Sequence, residues 1–353
     1  MNDKTIAFFD SKDYDRKVFT KINEEFNYTL KFFDDHLTPE TAILAKDSDA
    51  VCIFVNDQLT AELIEQLNAY DIRLTALRSA GYNNVDLEAA YKNMHIVRVP
   101  AYSPYAVAEH TIGLILSLNR KIHKAYYRIN DNDFTISGLI GFDMHGKSAG
   151  VIGTGKIGKI LIKILNGFGM KIYAYDPYPD KEYAEEMNFE YVALDTLYKE
   201  SDIISLNCPL TKETYHMINE DSIAKMKDKV MIVNTGRGHL IDTQALINAL
   251  KNQQIGSAAL DVYEEESKYF FEDFSSQLIS DDVLARLLTF NNVLVTSHQG
   301  FFTEEALDNI ATTTLENITE YFAGKALTNE VCYRCKEFGG DDPCRKERKG
   351  RCF

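Results

Sequence analysis

The stretch Val151-Ile152-Gly153-Thr154-Gly155-Lys156-Ile157-Gly158 leaves an apolar strand-like run, Ala149 to Ile152, and opens a helix-like one, Lys156 to Leu165. Eighteen residues past the last of these glycines, Asp176 closes the run Lys171-Ile172-Tyr173-Ala174-Tyr175-Asp176. Strand, Gly-x-Gly-x-x-Gly turn, helix and acidic strand end at this spacing form both ends of a dinucleotide site. Gly153 permits the tight turn, Gly155 lets the backbone approach a pyrophosphate, and Gly158 lets helix and strand pack closely. The phosphates would sit on the unpaired N–H groups at the helix start. Asp176 would accept hydrogen bonds from a ribose 2′-OH and repel a 2′-phosphate, which points to NAD over NADP.

Working outward, the pattern around this motif is α/β. Residues 4–9, 28–33, 50–55, 73–77 and 96–99 read as short strands, with helical spacing at 13–26, 60–70 and 86–93 between them. From Ser148 the pattern restarts, with strands expected at 148–152, 171–175, 202–207, 230–234, 256–261 and 293–296. Alternating strands and helices imply parallel sheets covered on both faces, and two consecutive units imply two domains. The join is expected near Pro100 to Pro104, followed by one long helix from Tyr105 to Ile129. A last helical run, Thr303 to Gly324, follows the final strand, and its natural place is back against the first domain. Two crossings of this kind predict a cleft between the domains.

The bulk composition narrows the partners. At 353 residues, 45% hydrophobic and 26% charged, the chain suits a soluble globular protein of two ordinary domains. A net charge of -15 disfavours nucleic acid and anionic membrane, because like charges repel. The N-terminus carries no basic segment or apolar core of a signal peptide, and the longest apolar run, near Ile112 to Leu118, is too short to span a bilayer. The expectation is a cytoplasmic protein. Cys52 and Cys208 sit alone in strand-like surroundings and read as reduced core thiols.

Three ionisable residues fall just past expected strands of the second unit. Arg237 follows 230–234, Glu266 follows 256–261, and His298 follows 293–296. Each alone would pass for an ordinary surface group. Together, on strand ends downstream of a dinucleotide site, they suit hydride transfer to a 2-keto acid. Arg237 can hold a carboxylate by a fork of two hydrogen bonds. His298 can give a proton to the carbonyl oxygen and take it back in reverse. Glu266 would orient the ring and favour the imidazolium. Phe301 and Phe302, directly after the last strand end, would wall the methyl end of a small substrate.

The chain resembles the D-isomer-specific 2-hydroxyacid dehydrogenases, and within them the bacterial fermentative D-lactate dehydrogenases. The resemblance runs from about residue 4 to Glu330. It rests on Arg98-Val-Pro-Ala-Tyr-Ser-Pro, Gly167-Phe-Gly-Met, Asn234-Thr-Gly-Arg-Gly, Leu260-Asp-Val-Tyr-Glu-Glu-Glu and Ser297-His-Gln-Gly-Phe-Phe-Thr-Glu-Glu-Ala-Leu. It implies a flavodoxin-like substrate domain (1–101 and 299–330), a Rossmann NAD-binding domain (102–298) and a deep interdomain cleft. It also implies NAD as cofactor and pyruvate/D-lactate as substrate pair. Arg237 matches the family's substrate-binding arginine, and Glu266 and His298 its acid/base pair. Lys156 and Ile157 match cofactor contacts in the glycine loop. Cys208, Pro209 and Thr214 match the adenosine side, and Thr235, Gly236 and Asp261 the nicotinamide side. Ala80 and Gly81 match a loop whose N–H groups bind the substrate carboxylate, and Tyr102 and Phe301 match pocket-lining residues. The family implies a homodimer or homotetramer. Alternatives on the same fold are a dehydrogenase for glycerate, hydroxyisocaproate or phosphoglycerate, and a non-catalytic NAD-sensing corepressor.

Residues 331–353 depart from that pattern. They carry Cys332, Cys335, Cys344 and Cys352, with seven Lys/Arg against four Asp/Glu. Cys-x2-Cys is a common half-site for zinc or iron–sulfur ligation, but no second close pair follows. The other readings are a redox-responsive tail that forms disulfides, and a terminus whose thiols stay reduced.

Overall fold

In a computed structural model, residues 3–335, 340 and 350–353 are described. The chain divides into two compact units, Met1–Ser103 with Phe302–Phe353, and Pro104–Phe301.

The first unit is built on strands β1 (Thr5–Phe8), β2 (Thr29–Phe32), β3 (Ala50–Ile53), β4 (Leu74–Leu77) and β5 (His95–Val97). Their spatial order is β5-β4-β3-β1-β2, and every pair among them is parallel. The order reverses between β1 and β3, the flavodoxin-like switch. Three of its helices start where a side chain offers an acceptor to their first N–H groups. Thr60 accepts from Leu63, Asp86 from Ala89 and Thr303 from Ala306. The helix Glu304–Phe322 packs on the helix Asp13–Asn23 and on β4, so the last helical run does return to the first unit.

The second unit holds β6 (Ser148–Ile152), β7 (Lys171–Tyr175), β8 (Glu190–Tyr191), β9 (Ile203–Leu206), β10 (Val230–Asn234), β11 (Ile255–Leu260) and β12 (Val293–Val295). The order β12-β11-β10-β9-β6-β7-β8 is parallel throughout and reverses at β6 and β9, the doubly wound nucleotide-binding topology. A central strand of such a sheet is buried on both faces and reads as a continuous apolar run, as Val230-Met231-Ile232-Val233 does. Its residues alternate between two cores: Val230 and Ile232 join one, Met231 and Val233 the other.

Gly158 shows how tightly the glycine loop is built. A Cβ there would lie 2.0 Å from the Gly153 carbonyl oxygen, and Gly153 itself has a φ of +93°. Backbone cannot retreat as a side-chain tip can. Gly158→Ala is therefore expected to destabilise the second unit by about 1–3 kcal/mol. Thermal unfolding by calorimetry reads this directly, and an unchanged melting temperature would contradict the packing described.

Three expectations need correction. The run Tyr105 to Ile129 is not one helix but two, Pro104–Arg120 and Ile122–Asn130, broken at Lys121 in the left-handed region at φ +52°. No proline or glycine marks the break. Tertiary contacts decide it: Asn119 exchanges two hydrogen bonds with Phe142, and Lys121 Nζ reaches the Ile140 carbonyl at 2.6 Å. The second correction is β8, a strand of only two residues that no apolar run announces. The third is β13 (Glu330–Val331), which pairs antiparallel with β5 and makes the first sheet mixed. Among the described residues no helix is long and apolar enough to cross a membrane.

Candidate active site

All strands of the second sheet run parallel, so the loops after them emerge at one edge. The glycine loop leaves β6 there and the helix Lys156–Gly167 follows. A Cβ on Gly155 would meet nothing within 4 Å, so the backbone at the helix start is open to a ligand. Lys156 is exposed and Ile157 half-buried on the first turn. Asp176, just past β7, ties the loop down. Its Oδ2 accepts from the Thr154 N–H at 2.7 Å and hydroxyl at 3.1 Å, and its Oδ1 from the Tyr178 N–H at 2.9 Å. An open helix N-terminus beside a carboxylate at the next strand end suits the pyrophosphate and ribose of NAD.

Past β9, the Thr214 hydroxyl donates to the Pro209 carbonyl at 2.7 Å and accepts from the Thr211 N–H at 2.7 Å, shaping a tight turn. Cys208 is half-buried, its thiol 3.7 Å from the Met217 sulfur and pushed up to about 11 by burial. Such a thiol is a packing group with little thiolate character.

Arg237, Glu266 and His298 come from the ends of three neighbouring strands, β10, β11 and β12. The buried Asn234 side chain clamps the first loop, accepting from the Gly236 N–H at 3.0 Å and donating to the Arg237 carbonyl at 2.8 Å. Arg237 Nη1 donates to the Gly236 carbonyl at 2.7 Å, which fixes the base of its fork. Thr235 is held by a 2.9 Å hydroxyl contact to Thr111. Glu266 lies 2.7 Å from His298 Nδ1 through one oxygen and accepts from the Tyr263 N–H at 2.9 Å through the other. An ionised carboxylate on Nδ1 places the hydrogen there and leaves Nε2 to exchange a proton with a substrate.

The three adjacent glutamates of the loop after β11 have separate fates. Glu264 binds His216 Nε2 at 2.6 Å and the Thr243 N–H at 2.9 Å, Glu265 is exposed, and Glu266 takes His298.

Asp261 is buried and gathers the loop that carries His298. The His298 N–H donates to its main-chain carbonyl at 2.7 Å, the Gln299 N–H to its Oδ1 at 2.9 Å and the Gly300 N–H to its Oδ2 at 2.8 Å. These three bonds hold His298 in the left-handed region at φ +51°, a conformation that costs a non-glycine residue energy and persists only where its surroundings impose it. The Asp261 carboxylate also takes His110 Nε2 at 3.2 Å and the Thr296 hydroxyl at 2.5 Å. Burial pushes this carboxyl up, but the bonds from His110 and Thr296 outweigh it and hold it below the usual carboxylate range. His110 and the positioning duty of Asp261 were not legible in the sequence; a histidine on an apolar helix carries no motif. Phe271 was also missed. Its ring centroid is 6.3 Å from that of His298 and 6.5 Å from that of Phe301. Phe302, by contrast, packs edge-on against Tyr14 at 4.8 Å.

In the first unit, the loop after β4 carries Ala80 and Gly81. The Ser79 hydroxyl donates to the Gly81 carbonyl at 2.9 Å, and Arg98 Nη1 to the Ala80 carbonyl at 2.6 Å, which shapes the loop from both sides. Arg78 anchors its start, wholly buried between the Asp10 carbonyl and the Asp15 carboxylate. The Tyr102 carbonyl accepts from Asn309 at 3.1 Å. In the tail, Cys332 and Cys335 are buried and Cys352 half-buried, whereas Cys344 lies outside the described residues.

Residues 112–300 match the family model for the D-isomer specific 2-hydroxyacid dehydrogenase, NAD binding domain. The chain is 53% identical over 327 residues to a D-lactate dehydrogenase of Escherichia coli, covering 92% of this chain and 99% of that protein. The solved apo-structure of D-lactate dehydrogenase from Escherichia coli superposes with a TM-score of 0.86 at 51% identity, over 93% of this chain and 99% of that one. The structure of a D-2-hydroxyisocaproate dehydrogenase matches with a TM-score of 0.81 at 31% identity, over 93% and 99%.

Proposed function

The chain belongs to the D-isomer-specific 2-hydroxyacid dehydrogenases, NAD-dependent oxidoreductases, and from that premise we propose that it interconverts pyruvate and D-lactate. The observation that carries this reading is the 2.7 Å pairing of His298 with Glu266, on strand ends next to the one that presents Arg237. Bound NADH supplies the hydride. Arg237 holds the pyruvate carboxylate by its fork and polarises the adjacent carbonyl. His298 delivers the proton from Nε2 to the carbonyl oxygen, and in the reverse direction removes it from the lactate hydroxyl. Glu266 keeps the ring oriented and stabilises the imidazolium by its charge. In this reading the Ala80 and Gly81 N–H groups suit a carboxylate and Tyr102 suits a pocket wall, as the family resemblance implies. The aromatic pair Phe271 and Phe301 suits an apolar methyl group and offers no cation to a phosphorylated acid.

The segment from Ile122 to Ile140 supports a homo-oligomer. The helix Ile122–Asn130 has no buried residue, and Tyr126, Tyr127, Phe134, Ile136 and Ile140 are all exposed. Exposed apolar surface of this kind marks an interface. The reading places the reaction in the cytoplasm.

The test is NADH oxidation with pyruvate, glyoxylate, hydroxypyruvate and phenylpyruvate in parallel. The expected result is the highest kcat/KM with pyruvate. Preference for phenylpyruvate would move the assignment to a longer 2-keto acid, and negligible turnover with all four would favour a non-catalytic NAD sensor.

A further inference from the structure

Cys332 and Cys352 are far apart in the tail sequence, yet the fold brings them together. Cys332 directly follows β13, the antiparallel edge strand beside β5, and is buried there. The last three residues, Arg351, Cys352 and Phe353, each return to the same place. The Arg351 Nε donates to the Lys325 carbonyl at 3.0 Å, and its guanidinium lies over the Tyr321 ring at 4.9 Å. The Cys352 N–H donates to Glu330 Oε2 at 2.7 Å. The Phe353 ring stacks on the His95 imidazole with centroids 4.2 Å apart, and His95 Nδ1 is 2.6 Å from Glu330 Oε1. Buried Glu330 thus joins β5 to the returning tail. Glu330 and Cys332 stand two residues apart at the end of that edge strand, and the Cys352 backbone is tied to the Glu330 carboxylate, so both cysteines flank the same side chain; neither is in a disulfide.

We propose that Cys332 and Cys352 are a redox-active thiol pair, oxidised by a low-molecular-weight disulfide to an intramolecular bond that pins the tail to the edge of the first sheet. Cys352 is the more exposed of the two and attacks first. It loses its proton to solvent, and its sulfur displaces one thiolate from the external disulfide, giving a mixed disulfide. Cys332 then loses its proton and attacks the Cys352 sulfur, releasing the second external thiolate. Two protein thiols are oxidised to one disulfide, and one external disulfide is reduced to two thiols. Burial, and then the neighbouring Glu330 charge, hold the Cys352 thiol well above its ordinary range. The thiolate fraction at neutral pH is small, so the reaction is slow and accelerates as pH rises. Ligation of a metal by these residues is less well served: among the described residues, no group of three donor atoms within mutual reach includes these cysteines.

The experiment incubates the reduced full chain, without denaturant, with oxidised glutathione at about pH 7 and about pH 8, alkylates the remaining thiols and maps the peptides. A Cys332–Cys352 link is expected, forming roughly tenfold faster at the higher pH because the thiolate fraction rises tenfold per unit below the pKa. Cys335→Ser should form the same link, and Cys332→Ser should stop at glutathione on Cys352. A dominant link from Cys332 to Cys335 or to Cys344 would overturn the proposal. So would wild-type protein carrying only glutathione adducts, or stoichiometric zinc in the purified chain that blocks oxidation. The mapping reads no enzymatic turnover, so its result stands apart from the substrate assignment.

Discussion

His298→Gln is expected to lower kcat for pyruvate reduction by about 10²–10⁴-fold, the usual contribution of a positioned general acid. Glutamine can still donate to Glu266, so the loop keeps its main tie, but it has no proton to give the forming alkoxide. Binding of NADH should change little, because the glycine loop and Asp176 belong to other strand ends. Stopped-flow turnover and NADH fluorescence titration on the same preparation separate the two effects. Retention of NADH binding also shows that the second unit has folded despite the substitution at a left-handed position. Turnover within a few-fold of the parent would remove His298 from the acid/base role.

Arg237→Lys tests the fork. A lysine keeps the positive charge but replaces a planar pair of donors by a point charge. Loss of one hydrogen bond to a charged group costs about 1.5–3 kcal/mol, which is roughly a 10- to 150-fold fall in kcat/KM for pyruvate. The fall should appear mainly with the keto acid, and the Kd for NADH should stay within a few-fold. Equal losses for both ligands would mean that Arg237 supports the loop and does not hold the carboxylate. The Asn234 clamp on the Arg237 carbonyl involves only backbone atoms of that residue, so it survives the substitution.

Much of this local geometry is legible in the sequence, for reasons that differ residue by residue. Gly153 and Gly158 are demanded by backbone geometry, and backbone demands leave marks in sequence: φ is +93° at the first, and no Cβ fits at the second. The strand end carrying Arg237 could be counted off because a buried parallel strand is a continuous apolar run, and the one carrying His298 because Val293-Leu294-Val295 is apolar as well, although that edge strand is only half-buried. Glu266 is a different case. Three glutamates stand side by side in the sequence, and composition or spacing cannot say which meets the histidine. The short turn at Glu266–Lys268 decides it, sending Glu264 to His216 and Glu266 to His298. Family resemblance pointed to the same residue without supplying that cause. The break at Lys121 was illegible because its cause, the Asn119–Phe142 clamp, joins residues far apart in the chain.

Local pattern alone therefore determined the parallel strands of the two sheets, the glycine loop with its acidic strand end, and the strand ends from which Arg237, Glu266 and His298 emerge. These depend on periodicity, on apolar runs and on residues without a Cβ, all properties of neighbours along the chain. Tertiary structure alone decided which glutamate turns to His298, how buried Asp261 gathers three successive N–H groups to hold that histidine in a strained conformation, and how Cys352 returns to Glu330. Hydrogen bonds and burial between distant residues fix those choices, and no short window of sequence contains both partners.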